Sequence, residues 1–147
     1  MNKAQAENTD ELPIIHLLWG ALAPTPEHMG LVELHRHLDG SLRPSTLNEL
    51  ADELGFEVPS DLLFEVGMGL EEALSRFAFT LSLLQTPAAV ERVATEMCED
   101  ARHEGIETLE IRFAPQLHGD AVEETIDAAL QGIAGRAGLI LCGLYGE

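Results

Sequence analysis

The stretch PAAVERVATEMCEDARHEGIETLEIRF, residues 87–113, joins two different hydrophobic periods around a single glycine. Before Gly105, apolar side chains recur every three or four residues, which is typical of a helix with one buried face. After it, Thr108–Phe113 is a short run rich in β-branched and aromatic residues, which predicts a buried strand. Thr86 and Pro87 form a good helix start, because the hydroxyl can cap the first turn and proline suits the first helical position. We therefore predict a helix followed directly by a strand.

The same alternation continues on both sides of this stretch. Further strands are predicted at Leu31–His35 and Leu139–Leu144, and further helices at Pro44–Gly55, Leu70–Leu84 and from Asp120 to about Ala137. Two pairs, Thr46 with Glu49 and Asp120 with Glu123, have the spacing of capping boxes. Strands that alternate with helices favour parallel βαβ units. The pattern alone allows either a doubly wound open sheet or a barrel.

Composition narrows the class of protein. The chain has 147 residues, the size of one ordinary domain, and a formal net charge of −18. The negative electrostatic field of such a chain repels phosphate groups and anionic lipid, which argues against nucleic acid and membrane partners. Cys98 and Cys142 form no disulfide or metal motif. No apolar run reaches the length of a membrane helix, and Ile14–Ala23 follows acidic residues, unlike a signal peptide. We expect a cytoplasmic protein, with an irregular extension at 1–29 and a folded part at 30–147.

A pair of histidines ends the first predicted strand. His35 and His37 are two positions apart, and alternate residues of an extended chain point to the same side, so both imidazoles can face one point. Two neutral imidazoles suit zinc, whose nitrogen ligands lie at about 2 Å. Asp39 and Gly40 add a carboxylate and a sharp turn beside the same cleft. On this spacing alone, two unrelated surface or packed histidines remain an alternative.

Several separated motifs resemble one enzyme family. The run VELHRHLDGS, Val32–Ser41, resembles the opening motif of the adenosine deaminases and their relatives, and GIETLEIRFAP, Gly105–Pro115, is similar to their second strand. Leu70–Glu104 is similar to the family's helices between these strands, and Leu139–Leu144 to its third strand. The resemblance implies the N-terminal portion of an α/β protein, a partial (β/α)8 TIM-type barrel with about three parallel strands and intervening helices.

The resemblance also implies roles for particular residues. His35 and His37 match the first two ligands of a Zn²⁺ cofactor, and Asp39 matches a residue that contacts the ribose of the nucleoside substrate. Three further positions match an apolar gate helix over the substrate pocket, namely Leu70, Leu74 and Phe77. Ala73 stands where some members have a bulky aromatic residue. Burial in a plain helix core is the other interpretation of this apolar face.

The remaining polar candidates receive no catalytic role. His118 follows the second strand, but the family's third histidine ligand comes from a later strand, so we interpret His118 as a loop residue. Glu110 and Arg112 on the second strand are interpreted as scaffold, with buried partners near the site as the alternative. No catalytic residue is assignable, because the general acid and the remaining metal ligands of the family also come from later strands.

The implied activity is hydrolytic deamination of adenosine-type substrates to inosine-type products and ammonia. A barrel of this kind takes about 250 residues, so we expect this chain alone to be inactive. The alternatives are a catalytically inactive truncated barrel that binds metal or a partner chain, and a different zinc amidohydrolase. Because three strands cannot close a barrel, we also expect self-association or pairing with a complementary fragment. In that view the inward side chains of Leu34 and Ile111 lack facing strands.

Overall fold

The computed structural model describes residues 30–144, in which three strands alternate with four helices. The irregular extension predicted for residues 1–29 lies outside the described residues. In chain order the elements are β1 (Leu31–His37), α1 (Pro44–Leu54), α2 (Leu70–Leu83), α3 (Pro87–His103), β2 (Ile106–Phe113), α4 (Val122–Ile133) and β3 (Gly138–Leu141). Short 3-10 turns, Leu38–Gly40 and Pro115–Leu117, follow β1 and β2.

The sheet has the parallel, sequential strands that the predicted barrel requires. Its three strands run in the order β1-β2-β3, and both pairs are parallel. Each strand therefore lies beside the next strand along the chain, which is the arrangement of consecutive strands in a (β/α)8 barrel. The prediction of a partial (β/α)8 barrel is confirmed.

The helices pack on one face of the sheet, and the hydrophobic core lies between them and that face. The inward residues predicted for α3 include Val90, Val93 and Met97, and all three are fully buried. They belong to the same apolar cluster as Ile111 and Phe113 of β2. The expectation that Ile111 points into the barrel and lacks facing strands is wrong, because its side chain lies on the helix-covered face and is fully buried. Leu34 is half exposed, as expected.

Helix ends are only partly as predicted. Thr86 caps α3, accepting a hydrogen bond from the Ala89 backbone nitrogen at 3.2 Å. Neither predicted capping box forms. The Thr46 hydroxyl instead donates to Glu96 at 2.7 Å, and α4 begins after Ala121 without a side-chain cap. The helix also ends four residues before the predicted Ala137, at a left-handed Ala134.

Helices α3 and α4 pack closely around one glycine. A Cβ atom added at Gly132 would overlap the Glu91 carbonyl oxygen and would lie 2.9 Å from the Cβ of Ala94. The Thr95 hydroxyl also reaches the Gly132 carbonyl at 3.4 Å. Gly132 therefore allows the two backbones to approach within a distance that excludes any side chain.

Cys98 and Cys142 are free thiols, as predicted. Among residues 30–144, no helix is both long and apolar enough to cross a membrane. The predicted location in the cell stays a prediction.

Candidate functional site

A β-bulge in β1 shapes the site. Glu33 pairs in register with Leu109, but the next pair is Arg36 with Ile111, so β1 advances three residues while β2 advances two. Leu34 and His35, which lie between these two pairs, therefore have no register partner on β2. A bulge of this kind bends a strand and redirects side chains, and such bulges are common beside active sites.

The bulge places Glu33 and Arg36 on the same, helix-covered face. Arg36 is 2% exposed, and its Nη1 lies 3.7 Å from Glu33 Oε2 and 3.4 Å from Glu104 Oε2. In a regular strand, residues three apart point to opposite faces. The ion pairs with Arg36 therefore confirm the altered alternation and anchor β1 to the C-terminal end of α3.

His35 and His37 lie together on the opposite face, at the carboxyl end of β1. Their ring centroids are 5.2 Å apart and their planes are tilted by 32°. Both residues are exposed. The expectation that the two imidazoles face one side is therefore met, although the proposed metal role is a separate question.

The electrostatic surroundings of His37 favour its neutral form. Partial burial lowers its pKa, and the neighbouring His35 and the guanidinium of Arg112 lower it further. A neutral imidazole has a free nitrogen lone pair, which is the form that binds a metal ion. The donor set therefore fits two nitrogen ligands of zinc. No group of three metal-binding side chains occurs within residues 30–144.

Asp39 lies beside this pair, in the 3-10 turn after β1. Its Oδ1 is 3.9 Å from His37 Nδ1, and the carboxyl group is buried. Burial raises the pKa of Asp39, while a hydrogen bond from its own backbone and the nearby His118 oppose that shift. Oδ1 is fully buried and has no hydrogen-bond partner within the described part of the chain. Asp39 thus has one buried carboxyl oxygen whose hydrogen-bonding capacity is unused within residues 30–144.

Helix α2 brings one of its three candidate residues to the site. The ring of Phe77 meets the ring of His37 edge to face, with centroids 6.1 Å apart. Phe77 also lies against Gly40, where an added Cβ would be 3.3 Å from its ring. Leu70 and Leu74 are 76% and 57% exposed. Burial of this apolar face in a helix core is therefore wrong for Leu70 and Leu74.

His118 is a residue whose importance the sequence did not indicate. It lies in the loop after β2, as interpreted, but it is only 1% exposed. Its Nδ1 is 2.9 Å from the Leu84 carbonyl oxygen, and its ring meets Phe113 edge to face at 5.2 Å. Burial lowers the pKa of His118, against the effects of the Leu84 hydrogen bond and of Asp39. The structure therefore groups His118 with Asp39. A histidine between a strand and a helix gives no sequence signal of that burial.

Sequential parallel strands, with histidines at the carboxyl end of the first, are the arrangement of barrel proteins that carry their sites at this end of the strands. The family model described as "Adenosine deaminase" matches residues 30–139. This chain therefore belongs to the adenosine deaminase family, and the predicted resemblance is confirmed.

Individual proteins agree with this assignment. The chain is 41% identical over 114 residues to an adenosine deaminase of Shewanella halifaxensis, covering 69% of this chain and 34% of that protein. It is 43% identical over 131 residues to a probable adenosine deaminase of Dictyostelium discoideum, covering 76% of this chain and 17% of that protein. Among solved structures, an N6-mAMP deaminase of Arabidopsis superposes with a TM-score of 0.62 at 28% identity, covering 77% of this chain and 40% of that one. The chain thus spans about a third or less of the length of the curated relatives it matches.

Proposed function

We propose that this chain supplies part of the active site of a zinc-dependent purine nucleoside deaminase, which converts adenosine-type substrates to inosine-type products and ammonia by hydrolysis. The observation that carries the proposal is the pairing of His35 and His37 on one face of β1, with ring centroids 5.2 Å apart. Their position at the carboxyl end of a barrel strand supports a catalytic location.

In this proposal His35 and His37 are two of the zinc ligands. When bound, zinc supplies an activated water for hydrolysis, because the metal lowers the pKa of that water. The lowered pKa of His37 supports this role, since the neutral ring is the one that ligates. Further ligands and the general acid would have to come from residues other than the two histidines.

Asp39 and the α2 face would form the substrate side of the site. The buried, unpartnered Oδ1 of Asp39 can accept a hydrogen bond from a sugar hydroxyl. Phe77 shields one side of His37 from water. Leu70 and Leu74 lie about two turns and one turn before Phe77 along the helix, and their exposed side chains would cover an apolar purine.

The names of the relatives support an adenosine-type substrate. The relatives from Shewanella halifaxensis and Dictyostelium discoideum, which are 41% and 43% identical, are named as an adenosine deaminase and a probable adenosine deaminase. The Arabidopsis neighbour, named for the nucleotide N6-mAMP, is 28% identical. We therefore place a nucleoside before a nucleotide, a choice that parallel titrations with adenosine and with AMP would check.

Zinc binding tests the metal part of the proposal. Titrating the metal-free chain with ZnCl₂ in a calorimeter should give a site that His35→Ala and His37→Ala each weaken by at least tenfold. His103→Ala is the matched control, because His103 is exposed on α3 and lies outside the proposed site. Equal zinc affinity in all four proteins would refute the ligand assignment.

Fragment complementation tests the activity. The chain would be mixed with the portion of the Shewanella halifaxensis enzyme that lies outside its match to this chain. Adenosine deamination, followed by the loss of absorbance at 265 nm, should appear with the wild type and not with His37→Ala. If His37→Ala restores activity as well as the wild type does, the histidine pair is not part of the active site.

A further inference from the structure

The bulge in β1 leaves a carbonyl group that needs a partner. Leu34 and His35 both lie between the register pairs Glu33–Leu109 and Arg36–Ile111, so the ladder between β1 and β2 is interrupted there. A backbone carbonyl without a ladder partner must find another donor or remain solvated. In this structure the carbonyl oxygen of Leu34 accepts a hydrogen bond from Arg112 Nη2 at 2.8 Å.

The position of Arg112 on β2 fixes this contact. Arg112 is the register partner of His37, so the two side chains leave the sheet on the same face, about 4.8 Å apart. From there the guanidinium extends back along β1 to Leu34, one residue before His35. A single side chain therefore spans the segment that carries both histidines.

Two arginines thus hold the bulge from opposite faces. Arg36 fixes the helix-covered face through Glu33 and Glu104, and Arg112 fixes the face that carries the histidines. A charged donor makes a stronger hydrogen bond to a carbonyl than a neutral one, and the planar guanidinium has little freedom once its stem is placed.

We propose that Arg112 is a positioning residue, which clamps the Leu34 carbonyl and thereby keeps the imidazoles of His35 and His37 on one side of β1. The inference rests on the proposed function only in giving these histidines a metal to bind. The clamp itself is a property of the metal-free chain. Without it, the bulge can relax toward regular pairing, and the two rings lose their common direction.

The first test needs no metal and no variant. In the wild-type chain, NMR should resolve the Nη protons of Arg112 at low temperature and show contacts between them and protons of Leu34 or His35. A contact between the ring protons of His35 and His37 should accompany them. A freely rotating guanidinium with averaged signals and no such contacts would overturn the proposal.

The second test uses variants. Arg112→Met removes the donor at nearly constant length, and Arg112→Lys keeps a positive donor. The methionine variant should lose the ring contact and bind Zn²⁺ about tenfold more weakly, which is the usual effect of losing a group that orients metal ligands. The lysine variant should remain within about threefold of the wild type. Arg102→Met, at an exposed site on α3, is the control and should change neither property.

The outcomes separate the two proposals. A folded Arg112→Met protein that keeps the ring contact and its zinc affinity overturns the clamp. If His35→Ala and His37→Ala do not weaken zinc binding, the proposed metal site fails, and the ring contact alone decides the clamp. If the methionine variant does not fold, the wild-type guanidinium signals and the lysine variant decide.

Discussion

Replacing Gly132 with alanine should destabilise the protein, although alanine is ordinarily the better residue in a helix. The added methyl would overlap the Glu91 carbonyl oxygen and lie 2.9 Å from Ala94 Cβ. Carbon atoms pack best at about 3.5–4.0 Å, so α3 and α4 must separate by on the order of 1 Å. The obstructing oxygen belongs to the helix backbone, so no side-chain rotation can relieve the overlap.

The magnitude follows from two opposing terms. Overpacking of this kind costs about 1–3 kcal/mol, and a contact with backbone belongs at the upper end. In the other direction, replacing glycine with alanine in a helix stabilises the folded state by about 0.5–1 kcal/mol. We expect a net loss of about 2 kcal/mol, or a decrease in Tm on the order of 8 °C.

Urea unfolding followed by circular dichroism would measure this loss. The adjacent, exposed position 131 provides the control: Gln131→Ala should be more stable than Gln131→Gly by about 0.5–1 kcal/mol. The preference for alanine should therefore reverse between two neighbouring residues of α4. A Gly132→Ala protein as stable as the wild type would show that the close helix contact does not exist in solution.

Three further predictions concern the site and the sheet. The purified 147-residue chain should show no adenosine deamination above background even with added zinc, because two imidazoles fall short of the three protein ligands usual for catalytic zinc. Zinc-dependent release of ammonia from adenosine would contradict this prediction. Stability should decrease as the pH falls through and below 6.5, because burial lowers the pKa of His118 in the folded state and the unfolded chain therefore binds its proton first. His118→Asn should flatten that slope, by at most about 1.4 kcal/mol per pH unit, in urea melts at pH 7.5, 6.5 and 5.5, and equal slopes would exclude His118 as the cause. In sedimentation velocity the chain should associate at micromolar concentration, since Leu141 is 48% exposed at the end of β3 and Leu34 is 50% exposed on β1. The Leu141→Lys variant should shift the equilibrium toward monomer. A compact wild-type monomer with a cooperative melt would refute the idea that the unpaired sheet edges drive association.

Much of the fold could be predicted because local patterns agreed with tertiary packing. The apolar period of α3 corresponds to its buried face, and Thr86 caps the helix as its place before Pro87 predicts. The capping boxes failed for a tertiary reason. Thr46 lies close enough to donate to the carboxylate of Glu96, 50 residues away, which no local motif indicates.

The site was predictable in its residues but not in its geometry. The spacing of His35 and His37 placed both rings on one side, which is what the structure has. The bulge before them could not be predicted, because it is defined by pairing with β2, far along the chain. The burial of His118 likewise depends on contacts with Leu84 and Phe113 from other elements. The α2 pattern predicted an apolar face correctly, but an apolar period does not specify what will cover it.

The register of the sheet also determines when each strand can first pair during synthesis. β1 pairs first with Ile106, 75 residues after Leu31, whereas β3 begins only 28 residues after its own partner, Glu110. At the usual 5–20 residues per second, β1 waits about 4–15 s on the ribosome for the strand that completes its hydrogen bonds. Throughout that interval the backbone of Leu31 and Val32 has no partner strand. The folding of β1 is therefore coupled to the synthesis of β2, whereas β3 is made after its partner strand.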